Sequence, residues 1–371
     1  MEAVNLFGVQ RSRSVQAAAW ILEKGCFSTQ ELANALQVST PTAAGWLRRL
    51  EEEGLVRASG EFHSTGGRKP RAWKACPEAR YSVGADITPR RVTLVAADLT
   101  GQAVRTAVHA LPFSRTPAYF QALAGHIAAL CADLPAAALL GVGVSIPGIV
   151  SAEGDMVLYS HALSVQDMCA QEIEEAAGAP CRMLNDANAG CIAEVRADAS
   201  LRDVVYLSLS DSVGSAILID RRLRPGRNLR MGEVGHTTLF PGGRPCYCGK
   251  TGCMDAYCRA GLLHAHTGGS LPEFFRRLHA GDAALGAVWE LYLDHLAVAL
   301  NNLRMLLDCD VILGGYVGRF IGDALPALRR RAALRNTFEP EADYIRACVY
   351  KREAAALGAA TLWLEEFLLT L

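Results

Sequence analysis

Apolar and polar positions change rhythm once along the chain, near Pro77. Over residues 14–54 apolar side chains recur every three or four positions in three short blocks, the spacing of amphipathic helices. The first block predicts a helix over Ser14–Lys24, closed by Gly25. The second begins at Ser28, where Glu31 three residues on completes a capping box, and runs to about Leu36. The third is expected to have Thr40 as N-cap and Pro41 behind it, with Gly54 as terminator. Leu32, Leu36, Val38, Trp46, Leu47 and Leu50 can share one small core. Two β-prone stretches follow, around the glycine-rich basic tip Thr65–Arg71. Beyond Pro77, compact apolar runs such as RVTLVAADLTG, LLGVGVSIPGIV and VVYLSLS alternate with helical stretches. That alternation predicts an α/β region, with room for two related halves meeting near residues 190–203.

These patterns divide the chain into a winged helix-turn-helix over 1–75, a first α/β lobe over 76–190, and a second over 191–371. The second lobe is expected to carry the cysteine cluster and the apolar C-terminal helix. Helix, short turn and second helix lay a recognition helix in a major groove. Thr40, Thr42 and Ala43 are small enough to approach base edges, and Arg48 and Arg49 suit phosphates. Arg68, Lys69 and Arg71 give the wing its charge for backbone or minor groove.

Composition adds bounds. With 371 residues, 51% hydrophobic and 20% charged, the chain can bury sizeable cores and is no disordered tail. The net charge of −1 excludes bulk polyanion binding, so the basic excess of residues 1–75 acts locally. The opening MEAVNLFGVQRSRS has no apolar core of signal-peptide type, and no uncharged apolar run reaches membrane-spanning length. The expected setting is a reducing cytoplasm without membrane attachment. Scattered cysteines there act as small hydrophobes and clustered ones as metal ligands.

The strongest chemical signal is GEVGHTTLFPGGRPCYCGKTGC. It sets His236, Cys246, Cys248 and Cys253 within eighteen residues. Three thiolates and an imidazole make a closed tetrahedral set for structural Zn2+. Cys258 and the isolated cysteines are expected to pack.

Taken together, these motifs resemble the ROK proteins, named for repressors, open reading frames and sugar kinases. VGVSIPGIVSAEGDMV is similar to the family's Gly-Pro-Gly strand and turn, and LNDANAGCIAE to its catalytic-base segment. GEVGH and CYCGKTGC match its zinc motif, VILGGYV and the late Gly358-Ala359-Ala360 its nucleotide-side motifs. The winged head, with STGGRKP, resembles the repressor branch. The resemblance implies a two-lobed actin-like, ribonuclease-H-like sugar-kinase fold. It places Asn185, Asp186, Glu233, His236 and Asp255 on a sugar, with His236 offering it the nitrogen not given to zinc. Asp186 can also cap the helix that follows it. Its partners would be a double-stranded DNA operator, a sugar or sugar-phosphate effector, and further copies in a homodimer or homotetramer.

Two departures point away from catalysis. The family's Asp-x-Gly-Gly-Thr turn is replaced by Asp86-Ile87-Thr88-Pro89-Arg90, which has no glycine and a proline without N–H. The second phosphate loop has become Ser210-Asp211-Ser212-Val213-Gly214-Ser215, with a carboxylate where polyphosphate would lie. Asp255 and Ala162 stand where the family usually has Glu and Asn. The expectation is a DNA-binding regulator of carbohydrate metabolism with an inactive kinase-like effector domain and Asp186 a vestigial base. The competing expectations are an active ATP-dependent sugar kinase with a DNA-binding arm, and a regulator controlled by a protein partner.

Overall fold

The computed structural model describes residues 5–61 and 71–371. Thr65, Arg68 and Lys69 of the expected wing tip lie outside the described residues.

The head has three helices, Arg13–Lys24, Thr29–Leu36 and Thr40–Glu52. Ser28 starts the second through a reciprocal box: its Oγ accepts from the Glu31 N–H at 3.2 Å, and Glu31 Oε2 accepts from the Ser28 N–H at 2.7 Å. The cap of the third is Ser39, not Thr40. Ser39 is the extended residue, and its Oγ accepts from the Thr42 N–H. Strands Val56–Glu61 and Arg71–Ala75 form the antiparallel arms of the wing, and Cys26–Ser28 adds a third strand that pairs Phe27 with Trp73. Leu32, Leu36, Leu47 and Leu50 are buried together, with Val38 and Trp46 at the margin. Ala43 is corrected: it is fully buried in this core, because it lies on the inward stripe with Leu47 and Leu50. It cannot reach a base edge.

The body holds two five-stranded sheets built to one plan. In the first, strand Tyr81–Ile87 pairs antiparallel with Val92–Asp98, which pairs with Ala103–His109; on its other side it pairs parallel with Leu139–Ile146, followed by Cys181–Asn185. In the second, strand Val204–Leu209 has Val213–Ile219 and Arg222–Leu223 on its antiparallel side, and Asp310–Gly314 and Ile345–Ala347 on its parallel side. Parallel neighbours require crossovers, supplied here by helices such as Pro117–Leu130 and Leu325–Ala333.

Helices Asp186–Ala197 and Ala354–Leu369 lie between the sheets and pack on each other. The C-terminal helix, assigned by sequence to the second lobe, packs on the first sheet. The cause is steric. Gly84 and Gly143 have no Cβ, and one on either would overlap the Ala356 or Ala359 carbonyl. Gly358 meets the Ala189 carbonyl in the same way.

Helix Ala283–Leu307 is long and apolar enough to cross a membrane by length and composition. It packs Trp289, Leu293, Leu296 and Leu300 into the second lobe's core, and Asp294 is paired with Arg331. Cys258 is buried in that same core, as expected of a packing thiol.

Candidate functional site

The cysteine loops are shaped by backbone that only glycine adopts easily. Gly242, Gly249 and Gly252 have φ of 70°, 86° and 81°, all left-handed. They turn the chain so that ligand atoms of His236, Cys246, Cys248 and Cys253 lie within 4.8 Å of one another. Cys248 Sγ is 3.7 Å from Cys253 Sγ, and Cys246 Sγ is 3.8 Å from His236 Nδ1. A tetrahedral ion with bonds of about 2.3 Å to sulfur and about 2.0 Å to nitrogen separates such atoms by about 3.5–3.8 Å. The four residues therefore fit a metal ion. The second imidazole nitrogen, expected to face a sugar, instead lies 3.2 Å from Tyr247 Oη. The Tyr247 ring in turn stacks on His161 at 4.6 Å.

Asp255 also departs from expectation. It is 1% exposed, and its Oδ2 accepts from the Val213 N–H at 2.7 Å. It anchors the loop after strand Val204–Leu209. Its Oδ1 is buried without a hydrogen-bond partner among the described residues.

The remaining expected sugar residues fall on two neighbouring hollows. Asn185 and Glu233 line a cavity of about 670 Å³, together with Gly148 and Met231. Asp186 faces the cleft between the lobes, with Asp86 and Tyr316. Asn185, not Asp186, caps the helix. Its Oδ1 accepts from the N–H groups of Ala187 and Asn188, and its Nδ2 donates to the Gly148 carbonyl at 2.9 Å. One amide hydrogen stays available for a ligand.

Asp186 is thereby free to act on whatever enters the cleft. Burial, then the Asp86 carboxylate, pushes its carboxyl up to about 7, with Glu233 adding to the rise. Asp86, whose Oδ1 accepts from Ser145 Oγ, is raised by burial to about 6. Both carboxyls hold protons more tightly folded than unfolded. Their stabilisation is full below about pH 4 and is lost as pH rises through 6 and 7. Urea titrations should show stability falling from pH 5 to pH 8, and Asp186→Asn should flatten that fall. An unaltered slope would mean Asp186 is ordinarily solvated.

Both phosphate loops use their own donors. Thr88 N–H donates to the Arg91 carbonyl, Arg91 N–H to Thr88 Oγ1, and Pro89 has none. In the second loop, Ser210 N–H donates to Ser212 O, and Val213 N–H to Asp255.

On the head, Thr40, Thr42, Arg48 and Arg49 are exposed along one helix. Arg71 is half tied down, 3.2 Å from Glu51 Oε1 and over the Trp73 ring.

Two sets of residues escaped the sequence reading. Asn5, Phe7 and Val9 wall the larger cavity; Asn5 Oδ1 closes its own turn on Phe7 and Val9 N–H, and Leu6 O accepts from Leu223 N–H. Arg91, Arg319 and Arg352 line the cleft. Neither set has a motif to announce it, since each is assembled from distant segments.

A winged helix-turn-helix joined to two ribonuclease-H-like lobes and a Cys3His cluster defines a DNA-binding head on a sugar-kinase-like body. The ROK family profile matches residues 83–366, and the MarR family profile matches residues 19–59. The chain belongs to the ROK family. It is 25% identical to a putative xylose repressor from Caldicellulosiruptor sp. (strain Rt8B.4), over 94% of each chain. It is 31% identical to an N-acetylmannosamine kinase from Escherichia coli O127:H6 (strain E2348/69), over 68% of this chain and 87% of that one. Among solved structures, a ROK family transcriptional regulator described as a homologue of the E. coli MLC protein superposes with TM-score 0.77. It has 18% identity and covers 96% of this chain and 98% of its own. A ROK family glucokinase from Streptomyces griseus, in complex with glucose and AMPPNP, gives TM-score 0.66 at 23% identity, over 76% of this chain and 98% of its own.

Proposed function

We propose that the chain is a transcriptional repressor of carbohydrate-metabolism genes, whose body binds a sugar or sugar phosphate and has given up phosphoryl transfer. One observation carries this reading: head and body together match a putative xylose repressor along 94% of its length, while Thr88, Arg91, Ser210 and Val213 in the loops that should cradle a nucleotide spend their N–H groups on the protein itself. Phosphoryl transfer depends on such donors around the moving phosphate. Asn185, Asp186 and Glu233 serve as hydrogen-bonding groups for sugar hydroxyls.

His236, Cys246, Cys248 and Cys253 hold a structural zinc ion, which braces the segment carrying Glu233. The ligand reaches the head through the N-terminal segment, because Asn5–Val9 wall the cavity containing Asn185 and Glu233. A ligand that favours one arrangement of that wall shifts the population of the DNA-competent state. Thr40 and Thr42 approach base edges, and Arg48, Arg49, Arg68, Lys69 and Arg71 meet phosphates. A two-fold assembly in the cytoplasm suits a palindromic operator.

Anisotropy titration on DNA from the chain's own promoter region tests this. Arg48→Ala and Arg49→Ala are each expected to weaken binding to all duplexes and to reduce the salt slope by about one. Absence of any duplex shift by the unaltered protein overturns the reading.

The second reading is an active sugar kinase. The 31% identity to an N-acetylmannosamine kinase and the raised carboxyl of Asp186, a competent general base, favour it. An ADP-release assay over a sugar panel separates the two, since turnover of about 1 s⁻¹ or more is ordinary for kinases.

A further inference from the structure

The cleft between the lobes contains three cations that no carboxylate of the described residues pairs directly. Arg91, Arg319 and Arg352 come from three distant segments and line one hollow. Among the described residues none of the three has a carboxylate within ion-pair distance, in contrast to arginines such as Arg115, Arg196, Arg304 and Arg331. Arg91 lies over the Tyr316 ring at 4.6 Å, and its Nε is buried without a hydrogen-bond partner. Burial, then Arg352 and Arg91, depresses the Arg319 guanidinium below its ordinary value.

Three like charges drawn together without counter-charge cost folding energy. The acids of the same hollow stand beyond ion-pair distance of them. Asp86 and Asp186 favour their protonated forms to about pH 6 and about pH 7, and Asp211 is engaged with His264 at 3.1 Å. Guanidinium forks match phosphate oxygens in geometry and charge. The cavity is about 100 Å³, small beside the about 300 Å³ or more of pockets for larger ligands. It suits a phosphoryl group, and a second hollow of about 280 Å³ shares its Arg91, Arg319 and Tyr316 wall.

We infer that Arg91, Arg319 and Arg352 form a phosphate site, which takes the phosphoryl end of a phosphomonoester whose hydroxyls face Asp186. The effector is then a sugar phosphate and not a free sugar. The inference rests on reading the body as a sugar-binding domain. It replaces the lost backbone donors of the phosphate loops with side-chain donors of this chain's own.

Calorimetric titration of the full-length, metal-loaded protein with inorganic phosphate tests it, with glucose and Mg-ATP in parallel. Saturable phosphate binding in the range of about 0.1–10 mM is expected. Arg91→Met and Arg319→Met should each weaken it about tenfold or more. Removing an unpaired charge should leave the ligand-free melting temperature unchanged or raised, whereas arginines with a merely structural role would lower it. No saturation by phosphate, or equal binding by both variants, overturns the inference. So does Mg-ATP binding about a hundredfold tighter than phosphate with the same arginine dependence. Operator binding by the same samples keeps the two ideas apart. Lost phosphate binding with DNA binding intact removes the phosphate site alone; phosphate binding without DNA binding removes the regulator reading alone.

Discussion

Cys253→Ser is expected to empty the metal centre and loosen the loops around it. Cys253 is buried and forms one corner of the four-atom set. Serine oxygen is a far weaker zinc ligand than thiolate, and binding energy at a closed site is folding energy. The loops from Gly242 to Gly252 are tied by backbone hydrogen bonds such as Gly252 N–H to the Arg244 carbonyl and Cys246 N–H to the Lys250 carbonyl, and by the isolated bridges Thr238–Cys253 and Pro245–Thr251, but the described residues give them no long strand or helix of their own. The expected loss is about 4 kcal/mol or more, a fall of about 10 °C in melting temperature for a domain of this size. Zinc content per chain should drop to near zero. Cys258→Ser, in the neighbouring helix but outside the set, should keep its metal. Equal zinc content and melting temperature in Cys253→Ser and the parent would refute the centre.

Glu365→Ala should be nearly as damaging, for a different reason. Glu365 is 2% exposed and serves two cations: Arg11, 2.5 Å away, and Arg196, 3.0 Å away. Arg11 immediately precedes the head, Arg196 ends the interlobe helix, and Glu365 sits on the C-terminal helix. Removing the carboxylate strands two guanidiniums in a poorly solvated place, a loss of about 3–5 kcal/mol. The joint between head and body should also loosen. Hydrogen exchange should quicken over residues 5–24, and any ligand effect on operator affinity should shrink. Glu365→Gln, which keeps an acceptor, should recover part of the stability. Unchanged exchange over that segment would show that the triad does not fasten the head.

Much of this was legible in the chain before any coordinates. Ser28 and Glu31 announce a helix start because capping is local chemistry, decided within four residues. The Cys3His set is equally local, and its spacing alone gathers the ligands. Ser39 was missed for Thr40 because neighbouring hydroxyl residues both can cap, and only the backbone turn decides between them. Ala43 was misread since a small residue looks the same facing DNA or facing Leu47. Asp255 and the helix at 354–369 sit elsewhere than expected for a common reason. Their roles depend on groups far off in sequence: Val213, and the glycines at 84 and 143. The arginine cluster was invisible for the same cause. Arg91, Arg319 and Arg352 are separated by more than 200 residues at one step, and no short pattern can record such an encounter.

The head and body do not have separate interiors. Leu50 and Val56 of the wing region share one apolar cluster with Val95 and Leu99 of the first sheet and with Leu364 and Leu368 near the chain's end. A chain cut after residue 75 would therefore bare a greasy scar on the larger fragment, which should precipitate or pair with itself. The intact protein should melt in one step where a beads-on-a-string arrangement would give two. Grafting a different reader of DNA onto this body would require re-cutting that scar as well as changing the groove-facing residues.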